Sequence, residues 1–376
     1  MKRTAHALTG ILPFLLIASV VSIMSGCGGS SGTTSTANGG ASSYYGTQSP
    51  GDAWSWAITK DSSGNGSFSA MNKVSGSTYS GSVATISSKF LQLTIAATTD
   101  SNVTVGNIEY AVEFPDTALI VKPAGVKDAL VIGAGQGDSP SPASYNWVKV
   151  ANSGWAVDTD PAFGTATSTE SAGTFTMSVV PYLLGSADPM STVIYTGVFS
   201  NGVITTTAAD GTTFGVTPSG VLIGDQGTNG GLIGMLQPTA KIGSTAILQA
   251  GREFRGFVFM THPPFESGGI TLQDKTQGIW SRTKGDGLIT AGEYTNFANG
   301  TEDSDPGGSS IATLSLDSEA APGEFAGTMT DSHAGTHPFT LMINQINGKY
   351  MIFGFSQNQW GSGNNMSPYL FVVMEQ

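Results

Sequence analysis

Apolar and polar residues alternate along most of the chain after about residue 50, which is the period-two pattern of half-buried β-strands. Helical periodicity does not extend beyond a turn or two in this part of the sequence. The pattern therefore predicts an all-β fold. The clearest predicted strands, rich in β-branched and aromatic residues, are Thr78–Ile86, Phe90–Thr98, Thr174–Val180 and Val193–Phe199.

Tight turns join several predicted strands into antiparallel hairpins. Asn-Gly and Asp-Gly pairs suit type I′ turns, because both central residues of such a turn need a positive φ. The pairs Asn201–Gly202 and Asp210–Gly211 predict a meander of short strands. A third pair, Asn347–Gly348, joins Phe339–Ile346 to Lys349–Phe355. We therefore predict antiparallel meanders.

A weak internal repeat divides the meander into two units. The hairpin Phe214–Gly224, a glycine-rich loop and the strand Gly231–Leu236 follow one another in the first unit. The same order of elements recurs at the Asn347–Gly348 hairpin and the strand Tyr369–Met374. The predicted break falls near Gln237–Thr239.

The two predicted β domains are residues 51–240 and residues 241–376. The second holds about eight strands, the number at which an antiparallel sheet closes into a barrel that can enclose one small ligand. A sandwich of two sheets gives nearly the same alternation and is the alternative prediction.

Eight meandering strands of this kind resemble the barrels of lipocalins and avidins. Trp54 and Trp56 in the opening strand are similar to the first-strand tryptophan of lipocalins, although the spacing Gly51–Trp54 is one residue longer than theirs. The resemblance implies a barrel that encloses a small apolar or amphipathic ligand.

The composition limits the possible functions. Charged residues make up only 11 % of the chain, against about a quarter in an average soluble domain. A hydrophobic share of 39 % can fill a core, which argues against a disordered chain. The formal net charge is −12 and there is no basic run, so nucleic acid binding is excluded.

The N-terminus has the form of an export signal. The basic pair Lys2–Arg3 precedes the apolar stretch Ile11–Met24, which is too short to span a bilayer. The segment Met24–Cys27 resembles the lipobox of bacterial lipoproteins, in which the cysteine becomes the acylated first residue of the mature chain. The resemblance implies a signal peptide at residues 1–26 and lipidation of Cys27, which is the single cysteine of the sequence.

Residues 27–50 are rich in Gly, Ser and Thr, and we predict that they tether the folded body to a membrane. The resemblance implies that the single cysteine carries lipid, so we expect no disulfide in this chain. Gly28 follows the cysteine in place of aspartate, and the lipoprotein resemblance then implies sorting to the outer membrane of the cell envelope.

Asp331, His333 and His337 are residue types that zinc or copper accepts as ligands. They lie between two predicted strands, so we predict a polar hairpin tip and no metal site there.

Two acidic clusters contain the carboxylates that calcium prefers. We predict that both are solvated loops and that the protein needs no metal or cofactor. The carboxylates are Glu302, Asp303 and Asp305 in one cluster and Asp158 and Asp160 in the other.

Patterns of nucleophilic enzymes occur only in unsuitable contexts. Ser30 satisfies G-x-S-x-G but lies in the predicted tether, and Ser281–Lys284 satisfies S-x-x-K directly before Gly285–Gly287. Only three histidines follow the signal peptide, of which His262 precedes two prolines. We therefore predict no catalytic residues and no enzymatic activity.

The tryptophans have two possible roles, as core residues or as a platform that stacks on sugars or lines an apolar cavity. Core packing is the simpler prediction, because barrels fill their interiors with such residues. The tryptophans are Trp54, Trp56, Trp147, Trp155, Trp280 and Trp360.

Together these features predict a lipid-anchored, non-enzymatic protein of the bacterial envelope that binds a small apolar or amphipathic ligand in a β-barrel. The alternative is a structural or interaction lipoprotein with filled cores, which contacts an envelope protein or a glycan. The predicted partners are therefore the membrane, which the acyl chains enter, and either a small apolar ligand or an envelope protein or glycan.

Overall fold

The computed structural model describes twenty segments of the chain. They are residues 41–49, 53–72, 75–87, 90–115, 118–122, 130–135, 142–150, 161–183, 186–200, 203–208, 212–216, 220–225, 231–260, 266–267, 270–271, 277–283, 288–293, 312–331, 335–356 and 369–376. Within these segments the strands form antiparallel sheets, three of which close into eight-stranded barrels. The all-β, antiparallel, barrel-like fold class is confirmed, and the barrel replaces the sandwich alternative.

The first barrel consists of β1 (Ala41–Ser49), β2 (Ala53–Lys60), β3 (Gly66–Asn72), β4 (Thr78–Ser87), β5 (Phe90–Thr98), β6 (Ile108–Phe114), β7 (Ala118–Lys122) and β8 (Leu130–Gly135). Each strand pairs with the next one along the chain. The barrel closes where β1 pairs with β8, with Tyr44 opposite Gly135.

The second barrel consists of β9 (Ser144–Val150), β10 (Phe163–Ser171), β11 (Thr174–Tyr182), β12 (Val193–Ser200), β13 (Val203–Thr206), β14 (Thr213–Val216), β15 (Val221–Asp225) and β16 (Gly231–Leu236). Its first strand β9 lies between β10 and the last strand β16.

The third barrel consists of β17 (Glu253–Met260), β20 (Gln277–Thr283), β21 (Leu288–Glu293), β22 (Ala312–Ala321), β23 (Glu324–Asp331), β24 (Gly335–Ile346), β25 (Lys349–Ser356) and β26 (Tyr369–Glu375). Strands β18 (Glu266–Ser267) and β19 (Ile270–Thr271) form a separate two-stranded sheet, and a short helix α1 (Ser244–Ile247) precedes β17. Among the described residues, no helix has the length and apolar character needed to cross a membrane.

The structure differs from the sequence-based domain division in two places. In the described parts of residues 51–240 the chain forms most of the first barrel and the whole second barrel, in place of one domain. The alternation of apolar and polar residues indicates strands, but it does not indicate which strand pairs with the first one to close a barrel. The sequence therefore did not predict the pairing of β8 with β1. In addition, β1 occupies residues assigned to the tether, because its Tyr44 is completely buried in the barrel.

The internal repeat falls at equivalent positions of two barrels. Strands β14, β15 and β16 are the last three of the second barrel, and β24, β25 and β26 are the last three of the third. In both barrels the final strand of the repeat pairs with the first strand of the barrel. The predicted break near residues 237–239 lies between β16 and β17.

Two hairpins have the backbone of a type I′ turn. Asn347 and Gly348 have φ values of 51° and 78° between β24 and β25, which confirms the predicted hairpin. Ala172 and Gly173 have φ values of 50° and 80° between β10 and β11. The second turn was not predicted, because alanine rarely adopts a positive φ.

The outward faces of the barrels share one hydrophobic core. Strands β14 and β15 contact β1 of the first barrel, and β9 and β16 contact β24 of the third. The second barrel therefore uses two parts of its outer wall to contact its neighbours. The core includes Phe90, Val112 and Ile120 from the first barrel, Val148, Phe163 and Ile223 from the second, and Met342, Phe353 and Val372 from the third.

The segment between the second and third barrels is held by one carboxylate. Glu319 of β22 accepts hydrogen bonds from the backbone N–H groups of Ile242 at 2.9 Å, Gly243 at 2.8 Å and Gly323 at 2.8 Å. Close by, the side-chain amide of Asn146 donates to the carbonyl oxygen of Pro322 at 2.7 Å. The junction is therefore fixed by specific polar contacts as well as by apolar packing.

Candidate functional site

A cluster of aromatic rings occupies the interior of the first barrel. Trp54 and Trp56 are two residues apart on β2, so both project to the same side of the sheet. The Tyr79 ring lies edge-on to both indoles, with ring centroids 5.4 Å from Trp54 and 5.5 Å from Trp56. Phe68 stacks on Trp56 at 5.9 Å. These rings fill the space between them, as the core-packing prediction for the two tryptophans requires.

Two glutamates of β6 lie in the same interior. Glu113 is 2 % exposed, accepts a hydrogen bond from the Tyr44 hydroxyl at 2.8 Å and forms an ion pair with Lys60. Glu109 is also buried and accepts a hydrogen bond from the Tyr79 hydroxyl at 3.1 Å. Each carboxylate is thus matched to a tyrosine hydroxyl, as buried charged groups require.

The Tyr79 hydroxyl is held in its protonated form. Burial raises the pKa of Tyr79 well above its usual value, and the adjacent Glu109 carboxylate raises it further. A hydroxyl in this state donates a hydrogen bond and does not act as a base near neutral pH. The Tyr79–Glu109 pair therefore has the properties of a structural pair.

Two indole N–H groups in this interior have no hydrogen-bond acceptor among the described residues. They are the Nε1 groups of Trp54 and Trp56, and both Nε1 atoms are buried. A buried donor without an acceptor costs about 1–3 kcal/mol. Trp147 has a similar buried Nε1 atom in the interior of the second barrel. These three indole N–H groups are unsatisfied donors inside the first and second barrels.

A polar cleft of about 380 Å³ lies at the rim of the third barrel, next to the start of β17. Its Arg252 side chain donates to Glu375 at 2.6 Å and to Gln249 at 3.0 Å. The guanidinium also lies 4.9 Å from the centre of the Tyr350 ring. Arg252 is therefore committed to contacts within the protein.

The predicted hairpin at the Asp331 cluster is present. Strand β23 ends at Asp331 and β24 begins at Gly335, while His337 lies opposite Met329 in the ladder. His333 lies outside the described residues. In the part of the chain that the structure describes, no three His, Cys, Asp or Glu side chains are grouped closely enough to hold a metal ion.

The structure brings together only some of the residues singled out in the sequence. Trp147 is a core residue of the second barrel, and Trp280 lies in β20 with a side chain that is not described. The remaining candidates lie outside the described residues. They are Cys27, Ser30, Trp155, Asp158, Asp160, His262, Glu302, Asp303, Asp305 and Trp360.

Sequence reasoning missed Tyr44, Glu109 and Glu113. The segment Ile108–Phe114 carries its acids on one face and Tyr110, Val112 and Phe114 on the other. A single-barrel interpretation places the acids outside, whereas the apolar face here packs between barrels and the acids point inward. A signal was present in the sequence, since an apolar residue, Ala111, separates the two acids on their own face.

Comparisons with known proteins assign this chain to no family. No known protein family matches the sequence, and no curated protein matches it. Among solved structures, the chain is similar to the isotype 1 transferrin binding protein B of serogroup B Neisseria meningitidis, with 11 % sequence identity and a TM-score of 0.29. The match covers 87 % of this chain and 66 % of that one, so this chain spans just under two thirds of that protein's length.

Proposed function

We propose that this chain is a lipid-anchored, non-enzymatic protein of the bacterial envelope whose barrels form a scaffold for contacts with another envelope protein or a glycan. The observation that supports the scaffold is the packing of the described barrel interiors with the protein's own side chains. Ring contacts within them include Trp56–Phe68 at 5.9 Å, Tyr195–Phe214 at 5.2 Å and Phe339–Phe371 at 5.8 Å. In this proposal the outer walls of the barrels and the loops contact the envelope protein or glycan.

The anchor in this proposal is Cys27, acylated after removal of residues 1–26. The lipobox-like segment Met24–Cys27 supports it, as does the absence of any other cysteine from the sequence. Gly28 after the cysteine supports the outer membrane as the destination. The tether has to end before Ala41, where β1 begins.

Metabolic labelling with a palmitate analogue tests the anchor in cells that express the full chain. The natural chain should incorporate label and partition into the detergent phase, and Cys27→Ser should do neither. Ser30→Ala, three residues further on, is the matched control and should behave as the natural chain does. Labelling that survives Cys27→Ser, or a natural chain without label, would contradict the anchor.

A small apolar or amphipathic ligand in the first barrel is the second candidate. The unpartnered Nε1 atoms of Trp54 and Trp56 favour it, because a ligand with a hydrogen-bond acceptor would satisfy them. An apolar fluorescent probe that accepts energy from tryptophan tests this candidate. Saturable energy transfer that Trp54→Phe reduces would support it, whereas the filled scaffold predicts no saturable transfer.

A further inference from the structure

A lysine amine and a buried carboxylate meet inside the first barrel. Lys60, at the end of β2, projects to the same side of the sheet as Trp56 and Ile58, and 24 % of its side chain is exposed. Its Nζ atom is in contact with Oε2 of Glu113 on β6, a side chain that is 2 % exposed. Strands β2 and β6 are not neighbours in the ladder, so this contact crosses the barrel interior.

The contact leaves the Glu113 carboxylate only partly satisfied as an ion. Its Oε1 atom accepts a hydrogen bond from the Tyr44 hydroxyl at 2.8 Å. Its Oε2 atom is buried and accepts no hydrogen bond from the described residues, although the Lys60 amine touches it. A buried ion pair compensates for its lost hydration only when further hydrogen bonds satisfy the remaining lone pairs. A neutral amide in the same place carries no charge and has no Oε2 atom left to satisfy.

We propose that Lys60 and Glu113 condense to an amide, which gives the first barrel an internal covalent cross-link. Two reacting groups that are held in contact react far faster than the same groups free in solution. The interior around them is packed with apolar side chains such as Trp56, Phe68 and Leu119. This packing limits the access of the water that would reverse the reaction.

The step balances without an oxidant or a co-reactant. Transfer of one proton from Nζ of Lys60 to Oε2 of Glu113 gives an amine and a carboxylic acid. The amine lone pair attacks the carboxyl carbon Cδ, while the Tyr44 hydroxyl stabilises the negative charge that develops on Oε1. The Cδ–Oε2 bond breaks, and Oε2 leaves as water with the transferred proton and a second proton from Nζ. A C–N bond thus replaces one C–O bond.

The cross-link lies at the end of the barrel where β1 begins. Ala41, the first residue of β1, pairs with Thr59 of β2, next to Lys60. Under the anchor proposed above, on which this role rests, a pull between the membrane and a bound partner reaches the barrel at β1. The amide between β2 and β6 does not depend on the hydrogen bonds between strands. It therefore reinforces this end of the barrel as a disulfide would, in a chain with a single cysteine.

Tryptic digestion of the full chain, purified folded and denatured just before cleavage, tests the proposal by tandem mass spectrometry. Trypsin requires a free lysine side chain, so the cross-linked chain should remain uncut after Lys60. The peptides that carry Lys60 and Glu113 should appear joined, with a mass lower than their sum by one water molecule, about 18 Da. Separate peptides at their full masses, with cleavage after Lys60, would overturn the proposal.

Two variants distinguish the cross-link from an ordinary ion pair. Lys60→Arg keeps the positive charge, but a guanidinium stays protonated and does not attack the carboxyl, so the joined peptide should disappear. Tyr44→Phe keeps the ion pair and removes the hydrogen bond to Oε1, so joining after a pulse of synthesis should slow about a hundred-fold. Thermal unfolding checks that both variants fold. A joined peptide that persists in Lys60→Arg, or an unchanged rate in Tyr44→Phe, would contradict the assignment.

The cross-link is tested independently of the anchor. Cys27→Ser has no acyl chain at that position and should give the same joined peptide as the natural chain. A failure of the proposed acylation therefore leaves this result unchanged. Because the amide is part of the polypeptide, organic extraction also leaves it in place.

Discussion

Replacing Glu319 with glutamine tests how the second and third barrels are joined. Its Oε1 atom accepts from the N–H groups of Ile242 and Gly323, and its Oε2 atom accepts from that of Gly243. In Glu319→Gln one of these oxygens becomes an NH₂ group that faces a backbone donor. At least one hydrogen bond to a charged group is lost, and such a bond is worth about 1.5–3 kcal/mol. Because Glu319 is half-buried, we expect the free energy of local opening of the junction to fall by about 2 kcal/mol.

Amide hydrogen exchange of the intact chain measures this loss where it occurs. A local cost of about 2 kcal/mol corresponds to a roughly thirty-fold fall in protection at Ile242 and Gly243. Glu170→Gln is the matched control, because Glu170 accepts a single backbone N–H, that of Gly173, in an exposed turn. The control should leave the junction unchanged. If Glu319→Gln changes protection at Ile242 and Gly243 by less than two-fold, the carboxylate does not hold the junction.

Three further predictions concern the folded body. Ala172→Asn should raise the free energy of unfolding by up to about 1 kcal/mol, and Asn347→Ala should lower it by a similar amount, because asparagine tolerates the positive φ of these turns better than alanine; chemical denaturation measures both. Burial raises the pKa of Tyr145 in the folded protein to about 12, so this hydroxyl loses its proton at a lower pH in the unfolded chain than in the folded one. The free energy of unfolding should therefore fall between about pH 10 and 12. Tyr145→Phe should flatten that decline in denaturation curves by up to about 1.4 kcal/mol per pH unit. Gly354→Ala should destabilise the third barrel by about 1–3 kcal/mol in thermal unfolding, since its Cβ would lie 2.1 Å from the Phe371 ring; an unchanged melting temperature would contradict this packing.

The sequence predicts the secondary structure well because alternation and turn chemistry are local. The Asn347–Gly348 hairpin follows from the conformational needs of two residues, and its strands pair as predicted. The Ala172–Gly173 turn has the same backbone but an unfavourable residue, so local chemistry did not reveal it. The β10–β11 ladder and the hydrogen bond from the Gly173 N–H to the Glu170 carboxylate stabilise a conformation there that alanine disfavours.

The number of barrels and the contents of their interiors depend on long-range contacts. Strand β1 pairs with β8. The alternation of apolar and polar residues does not indicate such a long-range pairing, so a barrel boundary inside residues 51–240 was missed. The orientation of β6 depends on the packing between barrels, which makes its outward face more apolar than the face that carries Glu109 and Glu113. The candidate site was therefore only half predicted, through Trp54 and Trp56.

The central claim is that the barrels are filled by their own side chains and act as a scaffold. Native mass spectrometry of the gently purified Cys27→Ser chain, before and after organic extraction, tests it most directly, because this variant cannot carry covalent lipid at that position. The account predicts the same mass before and after extraction, equal to that of the polypeptide. A stoichiometric additional mass that extraction removes would contradict it and would identify the chain as a ligand carrier.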